Sequence, residues 1–140
     1  MKLLHFRLTE GPVSGDWVQS QVAGDDSGCT ILFLGTVRNH GHGNDVTHLD
    51  YEAYSGMVES EVKKIAEEVS AHHEVLRFAL EHSFGRVPVG CCSVALAIAS
   101  AHRKAGFSAS IEFMDALKER VPIWKKECYP DGSSWLGKGS

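Results

Sequence analysis

The sequence predicts a single α+β domain over residues 1–140, a mostly antiparallel sheet covered by helices. Three observations carry that expectation. Several short stretches alternate apolar with polar residues, two longer ones repeat apolar residues at helical spacing, and neither an internal repeat nor an interdomain linker separates them. With 43% hydrophobic and 23% charged residues in 140, the chain has enough apolar material for one packed core.

Leu4, Phe6 and Leu8 alternate with His5 and Arg7, which predicts a half-buried strand over Lys2 to Leu8. Gly11 to Gly15 reads as a turn, and Asp16 to Ala23 as a short helix opened by an aspartate and carrying Trp17, Val18 and Val22. Asp25 to Gly28 is loop-like. The unbroken apolar run Cys29 to Leu34 predicts a central strand covered on both faces. Asn39 to Asp45, rich in Gly and Asx residues, predicts a mobile polar loop, and Val46 to Tyr54 resumes alternation, with Leu49, Tyr51 and Ala53 opposite His48, Asp50 and Glu52.

From Gly56 to about Ala71, Val58, Val62, Ile65 and Val69 define an amphipathic helix. Two more strands follow, around Leu76 to Leu80 and over Ser93 to Ala99, connected through Gly85 to Gly90. A second long helix is expected from Lys104 to Glu119, with Phe107, Ile111 and Met114 on its inward face and Pro122 ending it, and Ile123 to Cys128 is extended.

A net charge of −4 argues against coating nucleic acid or an anionic membrane. Met1 to Phe6 lacks a signal-peptide pattern and no stretch approaches the ~20 apolar residues of a membrane span, so a soluble cytoplasmic location is expected. Cys29, Cys91, Cys92 and Cys128 form no CxxC pair and suggest a reducing compartment. Any anion site must be local, and between Arg103 and Lys126 six basic residues face three acidic ones.

Within that segment Lys118 falls on the wheel beside Phe107 and Ile111, which predicts an inward-directed ammonium; a snorkelling lysine at the helix end is the bland alternative. His102 and Arg103 lie between a strand and a helix start, where amides and a guanidinium fork can hold phosphate; a cap and a surface ion pair are the structural alternatives. Arg38 closes the passage Phe33-Leu34-Gly35-Thr36-Val37-Arg38, whose glycine permits close backbone approach. Convergence of Arg38, His102, Arg103, Lys118 and Lys125 predicts a receptacle for a phosphate-bearing substrate. His40 and His42 flank a glycine without a third ligand, so no metal site is assigned and no cofactor is expected. Cys91 and Cys92 open an apolar strand, where burial lowers reactivity, leaving Cys128 beside Lys125 and Lys126 as the better reactive-thiol candidate.

Together, Phe33-x-Gly35-x-Val37-Arg38, Leu49-x-Tyr51-Glu52-Ala53-Tyr54 with Met57, Gly85-x-Val87-x-x-Gly90, Ser100-Ala101-His102-Arg103 and Lys118-x-x-Val121-Pro122-Ile123-Trp124-Lys125-Lys126-Glu127 resemble the large, catalytic subunit family of molybdopterin synthase, from about residue 28 to Trp135. The resemblance implies an α/β-hammerhead type fold and a homodimer within a heterotetramer. Its partner would be a small ubiquitin-like sulfur carrier ending in a Gly-Gly thiocarboxylate. The implied activity is a sulfurtransferase of molybdenum cofactor biosynthesis, which converts cyclic pyranopterin monophosphate to the molybdopterin dithiolene. Thr36, Val37, Arg38, His102 and Arg103 match positions that hold the pterin phosphate, and Lys118, Lys125, Lys126 and Glu127 match the block beside the reacting carbon and the carrier tail. Lys118 is the principal catalytic candidate and Lys125 assists, each stabilising developing negative charge.

Two positions depart from the family pattern. Ser83 stands where an arginine often follows His82, and Lys138 in a short Gly-rich tail stands near a basic position that serves the neighbouring subunit's pocket. Two other classes compete with the enzyme: a nucleotide or short-RNA binding module using the basic cleft, and a scaffold that only docks a ubiquitin-like protein.

Overall fold

A computed structural model describes residues 2–138. The chain runs β1 (Leu4–Glu10), α1 (Asp16–Val22), β2 (Cys29–Thr36), β3 (His40–Gly41), β4 (Asn44–Asp45), β5 (His48–Ala53), α2 (Ser55–His72), β6 (Arg77–Pro88), β7 (Cys92–Ser100), α3 (Arg103–Arg120), β8 (Ile123–Cys128) and β9 (Ser134–Lys138). Seven strands form one sheet in the order β2-β7-β6-β5-β8-β9, with β1 added parallel to β6 and every other pairing antiparallel. No described helix is long and apolar enough to cross a membrane.

Alternation along β6 and β7 explains the layering. Phe78, Leu80, Leu96 and Ile98 point to the face covered by α2 and α3, joined by Val62, Ile65, Phe113 and Leu117. Ala79, Ala95, Ala97 and Ala99 form the opposite face, where small side chains let α1 approach through Val18 and Val22. Arg77 locks α1 in place: its guanidinium donates to the Val22 carbonyl and pairs with Asp26 at 2.8 Å. Between the two long helices, Arg120 of α3 pairs with Glu61 at 2.8 Å and with Glu68 of α2, so this member of the basic segment is structural.

Four expectations are corrected. β2 is an edge strand rather than a central one, and Leu32, Phe33 and Leu34 are 36%, 39% and 45% exposed. A continuous apolar run signals burial without saying whether the same chain supplies the cover. α3 buries Gly106, Ala109, Phe113 and Leu117, whereas Phe107 and Ile111 are 56% and 66% exposed. Gly106 makes that choice, because a Cβ there would sit 2.9 Å from Ile31 Cγ1 and from Ser100 Oγ, so its bare face can press on β2 and β7.

The expected loop at Asn39 to Asp45 contains a hairpin, β3–β4, turning at His42 and Gly43 with φ of 50° and 79°. Gly85 and Pro88 do not end the strand before them; β6 continues through both to pair Tyr51↔Gly85 and His48↔Pro88. β9 was outside the expected elements.

Candidate functional site

A cleft of roughly 120 Å³ opens where β2 runs out beside β5, β7 and β8. Gly35 is needed at its wall: a Cβ there would lie 2.5 Å from Val94 Cγ1, and the β2–β7 register slips between Gly35 and Thr36. Val37 is then pinned, its N–H donating to Cys91 O and its carbonyl accepting from Gly90 N–H, both at 2.9 Å. That geometry buries Val37 and presents Thr36 and exposed Arg38 at the mouth. From across the sheet β8 contributes Lys125 and Glu127, which share a face with their register partners Tyr51 and Leu49.

Polar contacts fix the floor. Tyr51 donates its hydroxyl to Ser93 Oγ at 3.1 Å, and burial pushes that phenol up, so it stays neutral. Glu127 is 6% exposed and accepts from Tyr129 Oη and pairs with His42 Nδ1, each at 3.0 Å. Burial raises the Glu127 carboxyl, but the His42 and Tyr129 hydrogen bonds, with the charges of His42 and Lys125, outweigh it and hold the group below the ordinary carboxylate range. The β3–β4 hairpin therefore sits against Glu127, with the His42 ring 3.9 Å from that of Trp135 and His40 lining the cleft.

The remaining candidate residues lie elsewhere in the chain. His102 and Arg103 begin α3 at the Ser100 end of β7, opposite Cys29, whereas the cleft lies at the Thr36 end, seven residues or about 23 Å along the ladder. Lys126 is on the reverse face with Asp50, Trp124 and Leu136. Lys118 is exposed in line with Phe107 and Ile111; it shares their face as expected, but that face points outward, so the inward-directed ammonium is corrected. A single copy thus brings together Thr36, Val37, Arg38, Lys125 and Glu127, and leaves His102, Arg103, Lys118 and Lys126 apart.

Among the described residues, the side chains of Arg38, His102, Arg103, Lys118, Lys125 and Lys126 make no ion pair or hydrogen bond. In a chain of −4, cations left unpaired are available to an anion. Lys138 is engaged, donating to the Glu119 carbonyl at the end of α3, and Ser83 is fully buried in β6; Gly139 and Ser140 lie outside the described residues.

The cysteines do not serve this cleft. No described cysteine lines it, burial pushes the Cys92 thiol up, and Cys128 lies on the reverse face. Burial followed by the Asp50 carboxylate also pushes the Cys128 thiol up, which weighs against the better of the reactive-thiol candidates. Tyr51, Ser93 and His42, none of them named as site residues from the sequence, complete the polar lining and its support; Tyr51 was legible as an inward residue of an alternating strand and as part of the family motif, and His42 only as a histidine set aside as a metal ligand.

The fold and site define an α+β protein with a small polar cleft at a sheet edge, where the side chains of Arg38 and Lys125 are left without an ion pair. Residues 8–120 match the MoaE protein family, and the chain belongs to that family. It is 42% identical over 132 residues to the human molybdopterin synthase catalytic subunit, covering 94% of this chain and 70% of the relative. Molybdopterin synthase from Staphylococcus aureus has a similar structure, with a TM-score of 0.87, 28% identity and 98% of each chain covered. A complex of subunits 1 and 2 of molybdopterin-converting factor from Helicobacter pylori shares the fold, with a TM-score of 0.78 and 19% identity over 98% of this chain and 91% of that one.

Proposed function

We propose that this chain is the catalytic subunit of a molybdopterin synthase, a sulfurtransferase that moves sulfur from a thiocarboxylated small carrier onto cyclic pyranopterin monophosphate. The supporting observation is a cleft lined by Arg38 and Lys125 without a thiol among its described residues, so the sulfur must be delivered. The carrier is a ubiquitin-like protein whose Gly-Gly tail enters beside Lys125 and Glu127, while Lys126, on the reverse face, stands outside that path. Lys125 stabilises the negative charge that develops as the thiocarboxylate attacks and the cyclic phosphate opens, an electrostatic role open to an ammonium that β8 carries at the cleft. Lys118 lies outside the cleft of a single copy, and its part in the reaction is proposed from its match to the family block.

Phosphate is held by Thr36 and Arg38, which Val37 positions through its backbone pairing with Cys91 and Gly90, with His102 and Arg103 supplied by a second copy. The exposed edge of β2 supports that arrangement. Two edge strands paired about a two-fold axis run antiparallel, so the Cys29 end of one copy, which carries His102 and Arg103 alongside, meets the Thr36 end of the other. Leu32, Phe33 and Leu34 are then covered.

Product formation from thiocarboxylated carrier and cyclic substrate tests the reading. Lys125→Ala and Lys118→Ala are each expected to cut turnover by about 10²-fold or more while circular dichroism is unchanged. Wild-type activity in either variant removes that lysine from the mechanism, and no turnover by the unmutated protein with carrier bound reduces it to a docking scaffold.

A further inference from the structure

We propose that His48, Asp50 and Cys128 form a binding site for one zinc-class transition-metal ion, on the face of the sheet opposite the cleft. His48 and Cys128 are direct cross-strand partners between β5 and β8, and Asp50 lies two residues farther along β5, so all three side chains project from the same face. Leu49, Tyr51, Lys125 and Glu127 line the cleft from the other face. The site is therefore separate from the anion pocket, though built on the same two strands.

The spacing fits the ion. His48 Nε2 lies 3.4 Å from Asp50 Oδ2, Cys128 Sγ lies 3.6 Å from Asp50 Oδ2, and all three ligand atoms fall within 4.8 Å of one another. A tetrahedral ion with bonds of about 2.0 Å to nitrogen and oxygen and about 2.3 Å to sulfur separates an N/O ligand pair by about 3.3 Å and an O/S pair by about 3.5 Å. Two edges of the tetrahedron are already set.

Donor accounting points the same way. Thr47 Oγ1 donates its single proton to the Cys128 carbonyl at 3.1 Å, so the 3.0 Å contact between Thr47 Oγ1 and His48 Nδ1 is an N–H donated by the ring. With Nδ1 engaged by Thr47, Nε2 is the ring nitrogen turned toward the Asp50 carboxylate, 3.4 Å away, and is the one placed to share a cation with it. A ring held through its other nitrogen is the usual support of a metal-bound imidazole.

Charge also balances. On binding, Cys128 releases its thiol proton to solvent, and a dication with one thiolate, one carboxylate and a neutral imidazole has no net charge. Arg86 and Lys126, the cross-strand neighbours of Asp50, then impose little penalty. Thiolate with imidazole selects zinc, cobalt or copper over magnesium and calcium, and water fills the fourth position.

Chelator-treated full-length protein titrated with cobalt(II) tests the site. One equivalent per chain is expected to give tetrahedral d–d bands with a thiolate charge-transfer absorption, all displaced by zinc and unaffected by magnesium. Cys128→Ser should abolish the charge-transfer band, His48→Gln should weaken binding about 100-fold, and Thr47→Val about tenfold or more. If Cys128→Ser does not fold, X-ray absorption of the cobalt-loaded wild type must show one sulfur and one imidazole ligand. No cobalt uptake, with the His48 ring doubly protonated by NMR, overturns the proposal. A charge-transfer band that survives in folded Cys128→Ser assigns the metal to another cysteine and overturns it equally.

Discussion

His82 shows how one buried side chain sets a pH limit. It is fully buried in β6, donates from Nδ1 to the Ser83 carbonyl at 2.8 Å and packs edge-on to Tyr51; among the described residues its Nε2 has no partner. Burial holds its pKa down at about 4 against an ordinary 6.5. Below pH 6.5 the unfolded chain takes up a proton that the folded chain refuses, so stability is full above that value and falls as pH drops toward 4. The loss reaches about 3 kcal/mol across that interval. Urea midpoints at pH 7 and 4.5 should differ substantially in the wild type and much less in His82→Gln. The paired carboxylates Glu68, Glu112 and Glu127 are held low, so their contributions are lost at more acidic pH and do not mimic this window.

At the level of strands and helices, the cleft depends on how β2 ends. Gly35→Ala puts a methyl group 2.5 Å from Val94 Cγ1 inside the core. Destabilisation of about 1–3 kcal/mol is expected in urea unfolding, with turnover lost as Arg38 shifts; an unchanged midpoint would show that the wall can yield. Alternation in β5 and the valine-isoleucine stripe of α2 were legible because their periodicity states both element and face. The face of α3 was not, because Gly106 and Ala109 carry its contact through smallness, which a search for large apolar residues passes over. β9 pairs only because β8 offers it an edge, and the meeting of Arg38 with Lys125 is a product of topology that local spacing does not encode.

Considered as a whole molecule, the arrangement predicts a catalytic unit shared between copies. Arg38→Ala and Arg103→Ala chains should each be inactive alone. After dissociation and random reassociation, half of the dimers are mixed and each has one intact site, so activity should return to about one quarter of wild type. No recovery, with mixed dimers verified by mass, places Arg38 and Arg103 of one copy in the same site. Phe33→Asp should give a monomer by light scattering.

The alanine ladder beneath α1 carries a different implication. Ala79, Ala95, Ala97 and Ala99 act as a spacer whose thickness sets the height of the helix above the sheet, and the Arg77 guanidinium reaches the Val22 carbonyl only at that height. Ala97→Leu should therefore raise α1 and strand a nearly buried guanidinium, costing more stability than the added carbon volume alone. Amide exchange in α1 should quicken before the helical face on the other side of the sheet responds. The two sides thus have unequal tolerance to growth: one absorbs variation in large side chains, while the other is gauged to a single methyl group.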